Sequence, residues 1–280
     1  MCTTCGCAGD GAVLRHWDGD AGHPGHEHPG HEHAGHEHAQ RVAPADARTV
    51  MLQQRILIKN DEIAGRTRQR LRDRGVLMLN LMSSPGSGKT TLLERTARDQ
   101  AGAMVLGVIE GDQETTLDAD RIRASGCHVV QINTGAGCHL DAEMVRRGLA
   151  ALDPPAGSVV IIENVGNLVC PALFDLGETA RVVLACVTEG ADKPAKYPQM
   201  FRRADLVLVT KTDLLPYVDF DTARFAGYVT GLAPRARVAE VSARTGTGLD
   251  GWYAWLAAIR EAGVSGNSGG SCPAQSSTII

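Results

Sequence analysis

No stretch of this sequence approaches the length of a membrane span, and no basic segment followed by an apolar one opens it. A secretory leader is therefore not expected. An excess of one charge sign is also missing, since 28 Lys and Arg against 32 Asp and Glu leave a net charge of −4. That balance gives no electrostatic case for nucleic acid or for an anionic membrane. The expected compartment is the cytoplasm, where eight cysteines read as thiols or metal ligands rather than disulfides. A hydrophobic share of 43% over 280 residues suffices for one large core or two modest domains.

Residues 1–48 have few large apolar side chains but hold three cysteines and eight of the ten histidines. Such a segment cannot bury enough surface to offset the entropy of folding, and a flexible tail is expected unless metal orders it. Gly25-His26-Glu27-His28 recurs as Gly30-His31-Glu32-His33 and Gly35-His36-Glu37-His38. His26, His28, His31, His33, His36 and His38 offer imidazoles without fixed geometry, suited to storing borderline divalent ions. Cys2, Cys5 and Cys7 are close enough in sequence for one ion. With the α-amine exposed by loss of the initiator Met they suit tetragonal Ni²⁺, the other reading being reactive thiols on a loose tail.

From 49 to 74, Val50, Leu57, Ala64 and Leu71 repeat every seven residues beside Ile56 and Ile63, predicting a helix packed on the domain that follows. From 75 to 263, apolar strand-like runs (76–82, 104–109, 128–132, 158–163, 181–187, 205–210, 237–241) alternate with helical ones (89–100, 115–125, 141–151, 194–203, 219–231, 248–262). This alternation predicts an α/β fold, a mainly parallel sheet covered by helices on both faces. Residues 264–280, rich in Gly and Ser, are expected to form a second loose tail.

Within that domain, Ser84-Pro85-Gly86-Ser87-Gly88-Lys89-Thr90-Thr91 follows a strand and opens a helix, the context of a phosphate-binding loop. Gly86, Ser87 and Gly88 let backbone N–H groups close on phosphate oxygens, and Thr91 follows in the same turn. Lys89 supplies charge to the terminal phosphates and Thr90 a hydroxyl to Mg²⁺. Ser83 stands where the pattern usually has its first glycine. Glu163 ends a buried strand and can hold Mg²⁺ directly or through water, with Gly166 three residues on. Asp112 is a candidate for Mg²⁺ contact or for orienting the attacking water, a surface turn being the other reading.

Val209-Thr210-Lys211-Thr212-Asp213 resembles the guanine-reading segment of G proteins, with Thr210 where Asn is usual. Asp213 would accept from the guanine N1–H and N2 amine, and Ser242-Ala243 resembles the loop that reads guanine O6. Asn167 stands where many small GTPases carry Gln, so slow intrinsic hydrolysis is expected. Cys138, His139 and Cys170 lie on loops that leave one end of a parallel sheet, so one ion is expected to join them. Cys127-His128, a similar pair, starts a strand and reads as structural.

Together these segments resemble the HypB family of hydrogenase nickel-incorporation GTPases, over roughly 46–262. The resemblance rests on the phosphate loop, Glu110-Gly111-Asp112-Gln113, Gly137-Cys138-His139-Leu140-Asp141, Glu163-Asn164-Val165-Gly166-Asn167-Leu168-Val169-Cys170 and Thr188-Glu189-Gly190-Ala191-Asp192-Lys193-Pro194. It implies a GTP-dependent metallochaperone, cycling between GTP and GDP with Mg²⁺ and delivering Ni²⁺ to the nickel–iron hydrogenase large-subunit precursor. It also implies a companion nickel-binding maturation protein, nucleotide-linked homodimers and a domain site for nickel or zinc (Zn²⁺). Two alternatives stand beside it: a urease-type nickel GTPase, whose Cys-Pro-His is replaced here by Cys170-Pro171-Ala172, and a nickel storage protein.

Overall fold

The computed structural model describes residues 47–112, 117–135 and 137–265. Cys2, Cys5, Cys7 and the histidines from His26 to His38 lie outside the described residues, as do 113–116 and everything past 265. The chain divides into two compact units, Met1–Gln54 and Arg55–Ile280. The second carries the sheet, its covering helices and the sites.

Seven strands form one sheet: β1 (Leu77–Ser83), β2 (Leu106–Asp112), β3 (His128–Asn133), β4 (Val159–Glu163), β5 (Ala180–Cys186), β6 (Leu206–Thr210) and β7 (Arg237–Val241). Their order is β3-β2-β4-β1-β5-β6-β7 and every pairing is parallel. The expected mainly parallel sheet is thus found, with β2 running to Asp112 rather than ending at 109.

Apolar runs without alternation make sense in strands covered on both sides. Leu77, Leu79, Leu81, Val159, Ile161, Val182 and Leu184 point to one face, where Leu92, Leu93, Trp252 and Leu256 pack against them. Met78, Val160 and Ile162 point to the other face, against Leu71, Val145, Leu152 and Phe174. The first face is covered by α2 (Lys89–Asp99), α3 (Leu117–Ala124) and α9 (Leu249–Ser265). Trp252 also donates from Nε1 to Thr96 Oγ1 at 2.9 Å, pinning α9 to α2. The second face carries α1 (Ala47–Asp73) and α4 (Ala142–Leu152), and beside β5 and β6 lies α8 (Thr222–Leu232).

Three local departures from expectation have plain causes. The single helix expected over 194–203 is two short ones, α6 (Lys193–Lys196) and α7 (Pro198–Phe201), because Pro198 lacks an N–H and restarts the chain as a first helical residue. A turn of helix not expected, α5 (Cys170–Leu173), follows β4 and also has Pro near its start. The last helix continues to Ser265, into the stretch expected to be loose. No helix among the described residues is long and apolar enough to cross a membrane.

Candidate nucleotide and metal sites

Because all seven strands are parallel, the loops leaving their C-terminal ends gather at one edge of the sheet. Between β1 and α2 the chain turns through Gly86 (φ 72°) and Gly88 (φ 93°), angles at which a side chain is strained. Lys89, the first residue of α2, is buried, and its Nζ donates to Ser83 Oγ at 2.9 Å. The serine at the usual glycine position therefore docks the lysine. Burial lowers the Lys89 pKa, and the nearby Glu163 charge opposes that shift.

Thr90 Oγ1 donates to Glu163 Oε1 at 2.7 Å, while Glu163 Oε2 is buried without a hydrogen-bond partner. A hydroxyl beside an unsatisfied buried carboxylate oxygen fits Mg²⁺, which takes hard oxygen ligands. Asp112 lines the same cavity of about 480 Å³ as Gly86, Lys89, Thr90, Thr91 and Glu163. Glu110 faces Glu163 across the β2–β4 register, and its Oε2 is likewise buried and unsatisfied. The apolar pattern ended β2 at 109, which left Glu110 in a loop and without a role; an acid just inside the strand end was its signal.

Burial pushes Glu163 up to about 7, and burial together with the Glu163 charge pushes Glu110 up to about 8. The folded chain thus holds these protons more tightly than an unfolded one, whose carboxyls titrate near 4.5. Their stabilising contribution is complete below that value and is lost as pH rises through 7 and 8. The melting temperature of nucleotide-free protein is expected to fall between pH 6 and 8, with Mg²⁺ and GDP removing most of the fall. A flat profile without ligands would show that both carboxyls are already compensated.

At the base end, Thr210 Oγ1 donates to the Ser87 carbonyl at 2.7 Å, so the hydroxyl ties β6 to the phosphate loop in place of the usual Asn. Lys211 adopts a left-handed conformation (φ 58°) and reaches over the loop to donate to the Gly86 carbonyl at 2.7 Å. Asp213 Oδ1 accepts from Ser242 Oγ at 2.7 Å, which aims the carboxylate. These residues, with Gly88, Thr91 and Ala243, line a cavity of about 230 Å³ that adjoins the phosphate cavity. A further clamp had no role in the sequence reading. Glu189 accepts from Ser87 at 2.7 Å and from Lys193 at 2.8 Å, and also bonds Ser84. Burial alone would raise Glu189, yet these hydrogen bonds hold it below the usual carboxylate range.

On the other face of the sheet the structure brings Cys138, His139 and Cys170 together, their ligand atoms all within 4.8 Å of one another. Cys138 Sγ lies 3.6 Å from His139 Nδ1. A tetrahedral ion with sulfur at ~2.3 Å separates its ligands by ~3.8 Å, so closing on an ion needs about an ångström of movement at most. Two thiols and an imidazole suit a borderline or soft divalent ion, with one position left for a fourth ligand. His139 stacks on Phe174 with ring centroids 4.0 Å apart, and burial lowers its pKa, favouring the neutral ligating form. The Cys127 thiol, just before β3, is buried against the Leu106 carbonyl, whereas the His128 imidazole is exposed. The buried thiol fits the structural role expected of the pair.

Two loops join the sites. Asn164, one residue past Glu163, accepts from Leu140 N at 3.4 Å and from Val165 N at 2.9 Å. Gly166 abuts the phosphate loop so closely that a Cβ there would lie 3.0 Å from the Pro85 Cα. Asn167 accepts from Val169 N at 2.8 Å and Cys170 N at 3.3 Å, an Asx turn that presents Cys170. Its side-chain oxygen is committed to the metal loop rather than to the nucleotide.

A doubly wound parallel sheet with this loop and base cavity defines a P-loop nucleotide-binding protein carrying a thiol–imidazole metal site beside its nucleotide cleft. The profile of the family described as CobW/HypB/UreG, nucleotide-binding domain, matches residues 77–240. The hydrogenase maturation factor HypB of Rhizobium leguminosarum bv. viciae is 52% identical over 209 residues, 75% of this chain and 70% of that relative. HypB of Escherichia coli (strain K12) is 48% identical over 216 residues, 76% and 74% of the two chains. The crystal structure of HypB from Helicobacter pylori in complex with nickel superposes with a TM-score of 0.68 at 38% identity, over 73% of this chain and 96% of that one. The chain belongs to the CobW/HypB/UreG family, on its HypB branch of hydrogenase maturation GTPases.

Proposed function

We propose that the chain hydrolyses GTP slowly and uses the cycle to take up and release Ni²⁺ at Cys138, His139 and Cys170. The metal is passed to a nickel–iron hydrogenase large-subunit precursor with the help of a companion nickel-binding maturation protein. The observation that carries this reading is a three-ligand cluster within 4.8 Å, joined to the nucleotide cleft through Asn164 and the 163–170 segment. The nickel complex of the Helicobacter pylori relative supports nickel as the cargo, and Zn²⁺ suits the same donors. Cys2, Cys5 and Cys7 act as a tight nickel site and the histidine tract as a store; nucleotide-linked dimerisation belongs to the same reading.

In hydrolysis, water attacks the γ-phosphorus and the bond to the β–γ bridging oxygen breaks, giving GDP and phosphate. Lys89 and the N–H groups of Gly86 to Thr90 hold the phosphate oxygens, and Asp112 orients the water. Thr90 and Glu163 would hold Mg²⁺, which would neutralise phosphate charge when bound. With its oxygen turned to the Cys170 loop, Asn167 does not take the place of the water-positioning Gln of small GTPases, and Asp112 orients the water without that amide. Turnover is therefore expected far below the enzyme median of ~10 s⁻¹.

Asp213 sets the base preference. Asp213→Ala removes the acceptor for two guanine donors, each charge-assisted bond being worth ~1.5–3 kcal/mol. GTP affinity is expected to fall about a hundredfold or more while ATP affinity hardly changes, read by competition titration. ATP matching GTP in the unmodified protein would sink the guanine assignment. The whole reading is tested by nickel transfer to a hydrogenase precursor, with GTP and with a non-hydrolysable analogue. Transfer is expected to need hydrolysis, and equal transfer with no nucleotide would refute it.

A further inference from the structure

Asn60 lies on α1, outside the 77–240 stretch that the family profile matches, yet it touches both loops that carry the metal ligands. It is only 6% exposed. Its Nδ2 donates to the Asp175 carbonyl at 2.8 Å, and its Oδ1 accepts from the Ala142 N–H at 2.9 Å. Ala142 starts α4, directly after the loop of Cys138 and His139; Asp175 follows α5, the turn that Cys170 opens, and is next to the Phe174 that stacks on His139. Exchanging the amide's oxygen and nitrogen would set donor against donor and acceptor against acceptor, so the partners fix its orientation.

This amide links the two loops alongside the Asn164 bond to Leu140 and the stack of His139 on Phe174. Arg68, two turns further along α1, bonds Asp175 Oδ1 and donates to the Glu178 carbonyl at 3.2 Å, so α1 holds the second loop twice. Arg181, buried against Glu178, donates to the Phe174 carbonyl at 3.1 Å from below. The first loop is held from the sheet side by the Asn164 contact to Leu140, a longer bond of 3.4 Å. Asn60 adds the shorter one and ties that loop directly to its counterpart.

A metal site keeps its affinity when its ligands are already near coordination distance, and groups behind the ligands commonly set this. Buried amide bonds are expensive to leave unmade, so the two loops keep their register while both bonds stand. We propose that Asn60 is a positioning residue for the metal site: one buried amide fixes the Cys138–His139 loop against the Cys170 loop and makes metal affinity a property of α1. Asn60 touches no ligand atom and acts through the backbone of both loops. The inference rests on reading Cys138, His139 and Cys170 as a metal site.

Co²⁺ titration of the full-length chain carrying C2S, C5S and C7S tests it, because thiolate-to-cobalt absorption then excludes the clustered tail thiols. Asn60→Ala is expected to lower Co²⁺ affinity tenfold or more, as loss of a group behind metal ligands typically does. The ligand-field bands should also weaken as the site loosens, while GDP affinity stays unchanged. Ala142→Pro is the second variant, removing the N–H while Asn60 remains. Position 142 is the first residue of α4 and Asp141 before it is extended (φ −112°, ψ 171°), both compatible with proline. It should reproduce the loss of affinity. Either variant binding GDP normally and Co²⁺ with the original affinity and spectrum overturns the role of Asn60. The Cys170→Ser control separates the underlying reading: if the starting protein absorbs no more than this control, the metal site itself is refuted.

Discussion

Lys89→Ala is expected to abolish useful GTP binding, lowering affinity by about a hundredfold to ten-thousandfold. The ammonium gives up one bond, to Ser83 at 2.9 Å, and gains charge-assisted bonds to two phosphate oxygens. Each is worth ~1.5–3 kcal/mol, so two account for that range. The variant also leaves Glu163 without the cation that most lowers its pKa, so Mg²⁺ binding with nucleotide should weaken as well. Metal binding at Cys138, His139 and Cys170 in the absence of nucleotide should be unchanged, since those residues sit on the other face of the sheet. Titration with a fluorescent GTP analogue measures the first effect and Co²⁺ absorption the second. A loss of less than threefold would mean that the lysine stays on Ser83 and that the backbone alone binds the phosphates.

The parts of these sites that sequence made legible are those where residue type alone nearly fixes the chemistry. A Gly-Ser-Gly-Lys-Thr run after an apolar strand has few other uses. Two thiols and an imidazole on loops of a parallel sheet are brought to one edge by topology, which is why Cys138, His139 and Cys170 were readable together. The alternation of strands and helices likewise carried the sheet, because strands covered on both faces need uninterrupted apolar residues. Side chains whose job depends on a partner far along the chain were not readable. Thr210 looked like a weakened Asn until its hydroxyl was seen on the Ser87 carbonyl. Asn60 looked like one more polar residue of an amphipathic helix. Its signal was its place on the apolar stripe, three residues from Leu57 and four from Ala64, where a polar group needs buried partners. Glu110 was lost to a strand end drawn three residues short of Asp112.

Nucleotide state and metal affinity at Cys138, His139 and Cys170 are expected to be coupled, and the bonds that couple them can be named. Glu163, bonded to Thr90, is one of the two residues proposed to hold Mg²⁺, and Gly166 lies against Pro85 of the phosphate loop. The segment between them is therefore the one a γ-phosphate is expected to hold and its loss to release. That segment ends in the Asn167 turn presenting Cys170, and its Asn164 accepts from the backbone of Leu140, next to His139. A shift of residues 163–170 thus moves one ligand directly and pulls on the loop of the other two. Closing on an ion needs about an ångström at most, so a displacement of that size separates a complete ligand set from an open one. A coupling of ~1–3 kcal/mol is typical and corresponds to a 5–150-fold difference in metal affinity between the GDP and GTP forms. Linkage makes the effect reciprocal: bound metal must change the ratio of GTP to GDP affinities by the same factor. Co²⁺ or Ni²⁺ titration of the chain carrying C2S, C5S and C7S, loaded with GDP or a non-hydrolysable GTP analogue, measures the factor. Asn164→Ala, which removes both bonds of the side-chain oxygen together with the Nδ2 bond to Asn80 Oδ1, should bring it toward one while leaving Cys170 in place. Equal affinities in the two nucleotide states of the unmodified site would make that site structural, and GTP hydrolysis would then have to act on the partner rather than on the metal.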